Sequence, residues 1–103
     1  MGVLGGTFDP VHVGHLALAR AALDRLKLDR VLFVPAARPR FKTPQQLAPK
    51  RDRLEMLRRA LAEEPRFEVS TVDLERPGTS YTVDTLTDLK RELGEGIELY
   101  FLL

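Results

Sequence analysis

Short apolar runs alternate with stretches of helical periodicity along the whole of this 103-residue chain. The run Val31–Val34 is entirely apolar and is stopped by Pro35, a pattern typical of a strand buried in a parallel sheet. Between such runs, apolar residues recur at spacings of three and four, which predicts amphipathic helices. The resulting order, β-α-β-α-β-α-β, predicts an α/β fold with a doubly wound parallel sheet and helical crossovers.

The predicted strands cover residues 1–4, 31–34, 67–71 and 97–103, and a loop rich in proline covers 35–49. Three helices carry apolar stripes, and Gly94 is suited to end the third of them. The stripes are Leu16, Ala19, Leu23 and Leu26; Leu54, Leu57 and Leu61; and Val83, Leu86, Leu89 and Leu93. Because the chain stops inside an apolar strand, we expect a sheet that is incomplete at its C-terminus. Residues 1–103 are then the N-terminal portion of a single domain.

Charge and composition limit the kinds of molecule that the chain is expected to bind and the compartment in which it is expected to act. The net charge is +1, from 16 basic and 15 acidic residues, so the overall field favours neither nucleic acid nor a membrane. The chain has no cysteine, which excludes disulfides and thiolate chemistry. No apolar run approaches the roughly 20 residues that span a bilayer, and no signal-peptide pattern is found. We therefore expect a cytoplasmic protein.

The segment 5–15 combines three features of a phosphate site. It follows the first strand, where ligands bind in doubly wound sheets, and Gly5 and Gly6 allow close approach of the backbone. The amides at the following helix N-terminus favour anions. The chain's two histidines, His12 and His15, both lie here, and a helix that begins near Val13 would bring their rings to one side. Each ring can donate a hydrogen bond, and its charged form adds a positive charge. In the alternative, one histidine caps the helix and the other packs.

This segment resembles the nucleotidyltransferase superfamily, which carries a signature of His or Thr followed by x-Gly-His after its first strand. Here the signature is residues 12–15, His-Val-Gly-His, preceded by Gly-Gly-Thr-Phe-Asp-Pro at 5–10. Together these motifs resemble bacterial nicotinate-nucleotide adenylyltransferases, which implies a Rossmann-like fold. The resemblance extends over essentially the whole chain and includes Ser-Tyr-Thr-Val-Asp-Thr-Leu at 80–86. The family's later Gly-x-Asp and Ser-Ser/Thr-x-x-Arg segments are missing.

The resemblance implies adenylyl transfer from ATP to nicotinate mononucleotide, with Mg²⁺ arriving with ATP, in NAD biosynthesis. It implies these site residues: His12 and His15 as catalytic contacts to the ATP phosphates; Gly5, Gly6, Thr7, Phe8 and Lys42 around the phosphates; and Ser80, Tyr81 and Thr82 around the mononucleotide. By chemistry alone, Ser80 and Thr82 are equally suited to capping a helix. Asp9 is suited to fixing its loop by bonding backbone amides, more than to holding a metal or acting as a base.

The loop after the second strand departs from the family. Where relatives read Pro-Pro-His-Lys, residues 39–42 read Pro-Arg-Phe-Lys, so only Pro39 and Lys42 carry over. Arg38 or Arg40 is a candidate to replace the missing histidine's charge. Further along, the basic residues of the second helix are expected to form a solvated surface. They are Lys50, Arg51 and Arg53.

Other interpretations stay open. Phosphopantetheine adenylyltransferases, cytidylyltransferases and class I aminoacyl-tRNA synthetases share parts of the signature. A fragment that binds a mononucleotide without catalysis is a further alternative, and its open sheet edge would favour self-association. The sequence does not decide between nicotinate and nicotinamide mononucleotide.

Overall fold

Four parallel strands form the sheet of the computed structural model, which describes residues 1–6, 8, 12–36, 49–75, 81–94 and 96–102. The strands lie in the order β3-β2-β1-β4, so β1 and β2 are central. The elements, in chain order, are β1 (Gly2–Gly6), α1 (Val13–Arg25), β2 (Val31–Pro35), α2 (Lys50–Leu61), β3 (Phe67–Val69), α3 (Val72–Glu75), α4 (Thr82–Leu93) and β4 (Tyr100–Leu102). The predicted α/β fold with a doubly wound parallel sheet is confirmed, and the four-residue α3 is an addition to it.

Two apolar clusters cover opposite faces of the sheet. In β2, Val31 and Phe33 join the cluster that includes α1 and α2, whereas Leu32 and Val34 join the cluster that includes α3 and α4. Successive residues of a strand point to opposite faces, so a strand buried on both sides must be apolar throughout. This is why Val31–Val34 reads as an unbroken apolar run, and it makes the winding double.

The end of α1 corrects one predicted core residue. The spacing predicts that Leu26 belongs to the apolar stripe, but its side chain is 52% exposed because the helix ends at Arg25. Lys27 then adopts a left-handed conformation (φ 52°), and the Leu28 amide donates to the Leu23 carbonyl at 3.2 Å. This is the geometry of a Schellman cap with lysine in the usual glycine position. It turns the chain so that Leu28 is buried in place of Leu26.

The stripe of α4 is also corrected at its first member. Val83 is 68% exposed, whereas Thr85 and Leu89 are buried. Val83 lies two residues before Thr85, about 200° around the helix, so it faces away from the buried positions. A polar residue therefore occupies a core position that the apolar pattern did not reveal.

Gly5 and Gly6 lie within β1 and not in a loop beyond it, contrary to the prediction that the strand ends at Leu4. They pair with Val34 and Pro35 of β2. A Cβ on Gly5 would meet the Phe101 ring at 3.4 Å, and one on Gly6 would meet the Phe8 ring at 3.3 Å. The space that these glycines leave is thus already bordered by two aromatic rings.

Candidate active site

His12 and His15 form the N-terminal cap of α1. His12 is the extended residue before the helix (φ −136°, ψ 176°), and its Nδ1 accepts the Gly14 amide at 3.1 Å. In return, the Nδ1 of His15 accepts the His12 amide at 3.0 Å. This reciprocal pair is a capping box, with histidine in place of the usual Ser/Thr and Glu/Gln. The signature histidines therefore have a structural role that fixes their position.

The two imidazole rings stack on each other. Their centroids lie 3.8 Å apart with an interplanar angle of 29°. Because each Nδ1 accepts a hydrogen bond, the network assigns the ring hydrogen of the neutral tautomer to Nε2 in both residues. The prediction that both rings reach the same side is confirmed by this stacking. The pair can thus present two N–H donors without carrying charge.

The pKa of His15 is lowered from its ordinary value of 6.5. Burial of the ring is the main cause, and the positive charge of a protonated His12 beside it is the second. A proton on Nδ1 would also displace the backbone amide that this atom accepts. At neutral pH His15 is therefore a neutral hydrogen-bond donor, and the positive charge considered from the sequence is disfavoured.

The buried Phe8 ring packs against the His15 ring. The Phe8 side chain is 2% exposed, and its ring meets the His15 ring edge-on at a centroid distance of 5.0 Å. On its other side it contacts Phe33 of the core at 5.7 Å. Phe8 has a positive φ of 48°, which is uncommon for a bulky residue. The predicted packing alternative for one histidine is thus also present. The expected phosphate contact of the Phe8 amide stays a prediction.

A cleft of about 170 Å³ opens at the carboxyl ends of β1 and β2. It brings predicted phosphate and mononucleotide residues into one site, because Gly5 and Gly6 line it together with Tyr81 and Thr82. Residues not predicted from the sequence complete the lining: Ala36, Asp73, Thr85 and Phe101. In the described part of the chain, His12 and His15 are not among the lining residues. They lie at the start of α1, the helix that follows β1 in the chain.

Asp73 and Thr85 are buried polar residues of the cleft wall. Asp73 is 5% exposed and Thr85 is 3% exposed. The Thr85 hydroxyl lies 2.8 and 2.7 Å from the two oxygens of the Asp73 carboxylate. Sequence reasoning missed both residues. Thr85 does belong to the Ser-Tyr-Thr-Val-Asp-Thr-Leu motif, which was the one signal that could have singled it out.

Arg53 contradicts the expectation of a solvated basic surface on α2. Its side chain is buried, with 1% exposure, and its guanidinium donates to the Ala36 carbonyl at 2.7 Å. The Ala36 amide in turn donates to the Gly6 carbonyl at 2.8 Å. A buried charge is costly without hydrogen-bond partners, so this position depends on the backbone that it meets. Lys50 and Arg51 are exposed, as expected.

The structure describes only some of the remaining predicted residues. Thr82 is the first residue of α4, after Tyr81, whose own side chain makes no capping hydrogen bond to the helix. Several predicted residues lie outside the described residues: Thr7, Asp9, Arg38, Arg40, Lys42 and Ser80. Within the described ranges, no three His, Asp or Glu side chains are grouped so that they could hold a metal ion. No described helix is both long and apolar enough to cross a bilayer.

Comparison with known proteins identifies the family to which this chain belongs. A family model described as cytidylyltransferase-like matches residues 3–101. The chain belongs to the cytidylyltransferase-like family. This member is 53% identical over 102 residues to a probable nicotinate-nucleotide adenylyltransferase of Thermus thermophilus, a match that covers 99% of this chain and 53% of the relative. It is 48% identical over 102 residues to a protein of the same name from Dehalococcoides mccartyi, covering 99% of this chain and 50% of the relative.

Solved structures show the same fold. This cytidylyltransferase-like chain superposes with a TM-score of 0.75 on nicotinic acid mononucleotide adenylyltransferase of Plasmodium falciparum complexed with NaAD. The identity is 21%, and the match covers 97% of this chain and 49% of that chain. The resemblance drawn from the motifs is confirmed as a similarity to these proteins. The chain spans about half the length of the curated relatives that it matches.

Proposed function

We propose that this chain is the N-terminal portion of an adenylyltransferase domain that transfers AMP from ATP to nicotinate mononucleotide. The products are deamido-NAD and pyrophosphate, which makes the reaction a step of NAD biosynthesis. The observation that carries the proposal is the cleft that joins Gly5 and Gly6 to Tyr81 and Thr82. The two motifs are far apart in the sequence but line the same cleft. The resemblance implies that the first motif binds the ATP phosphates and the second binds the mononucleotide. The names of the relatives support the same reaction.

The chemistry needs little from the protein beyond position and charge. A phosphate oxygen of the mononucleotide attacks the α-phosphorus of ATP. The bond from that phosphorus to the oxygen that bridges the α- and β-phosphates breaks, and this oxygen leaves with pyrophosphate. The nucleophile is already an anion at neutral pH, so no strong base and no covalent enzyme intermediate are required. Catalysis then consists of alignment and of hydrogen bonds to the oxygens on which charge develops.

His12 and His15 are the proposed donors to the ATP phosphates. Their Nδ1 atoms are engaged by backbone amides, which leaves Nε2–H as the group to bind an oxygen. Because the capping box and the Phe8 ring hold the His15 ring, the donor needs little reorganisation when charge develops. Mg²⁺ is proposed to enter with ATP and to neutralise its phosphates. A cytoplasmic location stays a prediction.

Pyrophosphate release with ATP and Mg²⁺ tests the proposal. We would assay this chain alone and this chain joined to the C-terminal half of the Thermus thermophilus relative. Nicotinate mononucleotide should support release by the joined chain, in preference to nicotinamide mononucleotide or phosphopantetheine. Release that depends on an amino acid instead would favour the synthetase alternative. No release by the joined chain with any mononucleotide would contradict the proposal.

The non-catalytic alternative concerns the chain alone. A fragment that binds nicotinate mononucleotide without releasing pyrophosphate fits the incomplete coverage of the relatives. It predicts binding but no turnover by this chain, and turnover by the joined chain. Turnover by the chain alone would exclude it.

A further inference from the structure

Asp73 and Thr85 stand out because they place a carboxylate in the buried wall of a cleft. Both line the cleft, and both are almost inaccessible to solvent. Burying a carboxylate is costly unless hydrogen bonds satisfy it, and the Thr85 hydroxyl supplies one such bond to Asp73. The place of this bond in the wall points to a role in the shape of the cleft.

The pair fixes the start of α4. The Thr85 hydroxyl carries one hydrogen, which the close Asp73 oxygens at 2.7 and 2.8 Å can accept. The same hydroxyl lies 3.2 Å from the Tyr81 carbonyl, and the Thr85 amide donates to that carbonyl at 3.1 Å. Tyr81 supplies no side-chain cap of its own. The backbone at 81–82 is thus held to α3 through Thr85.

We infer that Asp73 and Thr85 are positioning residues for the mononucleotide: they hold the Tyr81–Thr82 backbone against the cleft. This inference rests on the proposed function, because it assigns the mononucleotide to that end of the cleft. The pair lies on α3 and α4, whereas the histidine cap lies on α1. Loss of the pair should therefore weaken mononucleotide binding while leaving phosphate binding at the histidines intact.

The test is an NMR titration of backbone amides in the full 103-residue chain, with nicotinate mononucleotide and with inorganic pyrophosphate as separate probes. Thr85→Val keeps the shape of the side chain and removes the hydroxyl. We expect it to raise the Kd for the mononucleotide by about 10-fold, the scale of one lost hydrogen bond in a buried place. The shifts that pyrophosphate causes at Gly14 and His15 should not change. Thr85→Ser should restore most of the mononucleotide affinity.

Thr87→Val is the matched control. Thr87 lies on the same helix and its hydroxyl donates to the Val83 carbonyl at 2.8 Å, but it is exposed and does not line the cleft. It should leave both titrations unchanged. If Thr85→Val fails to fold, Asp73→Asn carries the test, because it keeps one acceptor oxygen and loses the charge. Charge-assisted bonds are roughly twice as strong as neutral ones, so we expect a smaller rise in Kd, about 3-fold.

The outcomes separate the inference from the proposed function. Equal weakening of mononucleotide and pyrophosphate binding in Thr85→Val would show a purely structural pair and overturn the inference. Unchanged mononucleotide affinity in Thr85→Val, with tight binding by the parent chain, would overturn the inference alone. Absence of mononucleotide binding by the parent chain would overturn the inference, and the proposed function would fall with it only if the joined chain also released no pyrophosphate.

Discussion

The Nδ1 of His15 accepts the His12 amide while the Nδ1 of His12 accepts the Gly14 amide, so the two rings cap α1 as a unit. The two rings stack with their centroids 3.8 Å apart. The signature therefore joins a helix start to a pair of proposed phosphate donors. Changes in pH and sequence at this cap can separate the two roles.

Stability should fall in mild acid because of His15. The folded protein lowers the pKa of His15 below 6.5, mainly by burial and then by the charge of His12, so it binds this proton more weakly than the unfolded chain does. The stabilising contribution is then complete above pH 6.5 and is lost as pH falls through the folded pKa. Urea unfolding at a series of pH values measures it. His15→Gln keeps an acceptor suited to a capping box but does not titrate, so its pH dependence should be smaller. An equal dependence in both proteins would contradict the assignment.

His15→Ala should lower turnover by about 100-fold or more in the chain joined to the C-terminal half of the Thermus relative, a scale typical of losing one preorganised donor. Steady-state pyrophosphate release measures the effect. Val13→Ala is the control, because Val13 lies in the same first turn and is 80% exposed. Near-normal turnover of His15→Ala would exclude the catalytic role and leave only the cap.

Gly14→Ala should lower turnover with little loss of stability. Its Cβ would lie 2.9 Å from Cε1 and 3.1 Å from Nδ1 of His12, so the exposed His12 ring must move out of the cap. Alanine gains roughly 0.5–1 kcal/mol over glycine within a helix, which offsets a lost cap of about 1 kcal/mol. Paired turnover and urea measurements test this. Gly96→Ala, where a Cβ meets nothing within 4 Å, should change neither quantity. Full activity of Gly14→Ala would mean that the cap geometry of His12 is dispensable.

Arg53→Ala should reduce the free energy of unfolding by about 3 kcal/mol. The change leaves the Ala36 carbonyl without its 2.7 Å donor and opens a cavity where the buried side chain was. Urea unfolding gives the value. Arg51→Ala on the same helix should stay within about 0.5 kcal/mol of the parent, because Arg51 is exposed. A loss for Arg53→Ala as small as that of the control would place its guanidinium in solvent.

Lys42→Ala should mainly weaken ATP binding, since the resemblance implies that Lys42 closes over the phosphates. In the joined chain we expect a raised KM for ATP and little change in the KM for nicotinate mononucleotide. Arg51→Ala again serves as the control for loss of one positive charge. If Lys42→Ala left both constants unchanged, the closing role would be wrong.

The sheet was predictable because its signal is local. A strand buried on both faces must be apolar throughout, and Val31–Val34 shows this without reference to the rest of the chain. Leu26 was not predictable in the same way. Its spacing fits the helix stripe, and only the left-handed turn at Lys27 removes it from the core.

The site was predictable where residues lie in one short segment and unpredictable where they meet across the fold. The spacing of His12 and His15 indicated a shared side directly. Arg53 and Thr85 depend on partners 17 and 12 residues away, so a charged or polar side chain on a helix gave no sign of burial. The local sequence pattern indicates which face of a helix a residue occupies, but it does not indicate which distant polar group that residue meets in the fold.

The pairing of β1 with β4 has a consequence for synthesis on the ribosome. The register pairs Gly2 with Tyr100. One edge of β1 therefore stays uncovered until β4, which is near the end of the described residues, has been synthesised. Contacts this distant in sequence form late, because the intervening chain must first be ordered. Phe101 of β4 also borders the cleft beside Gly5. A nascent chain therefore covers the second edge of β1 and completes the wall of the cleft in the same folding event, and both stay open until β4 has left the ribosome.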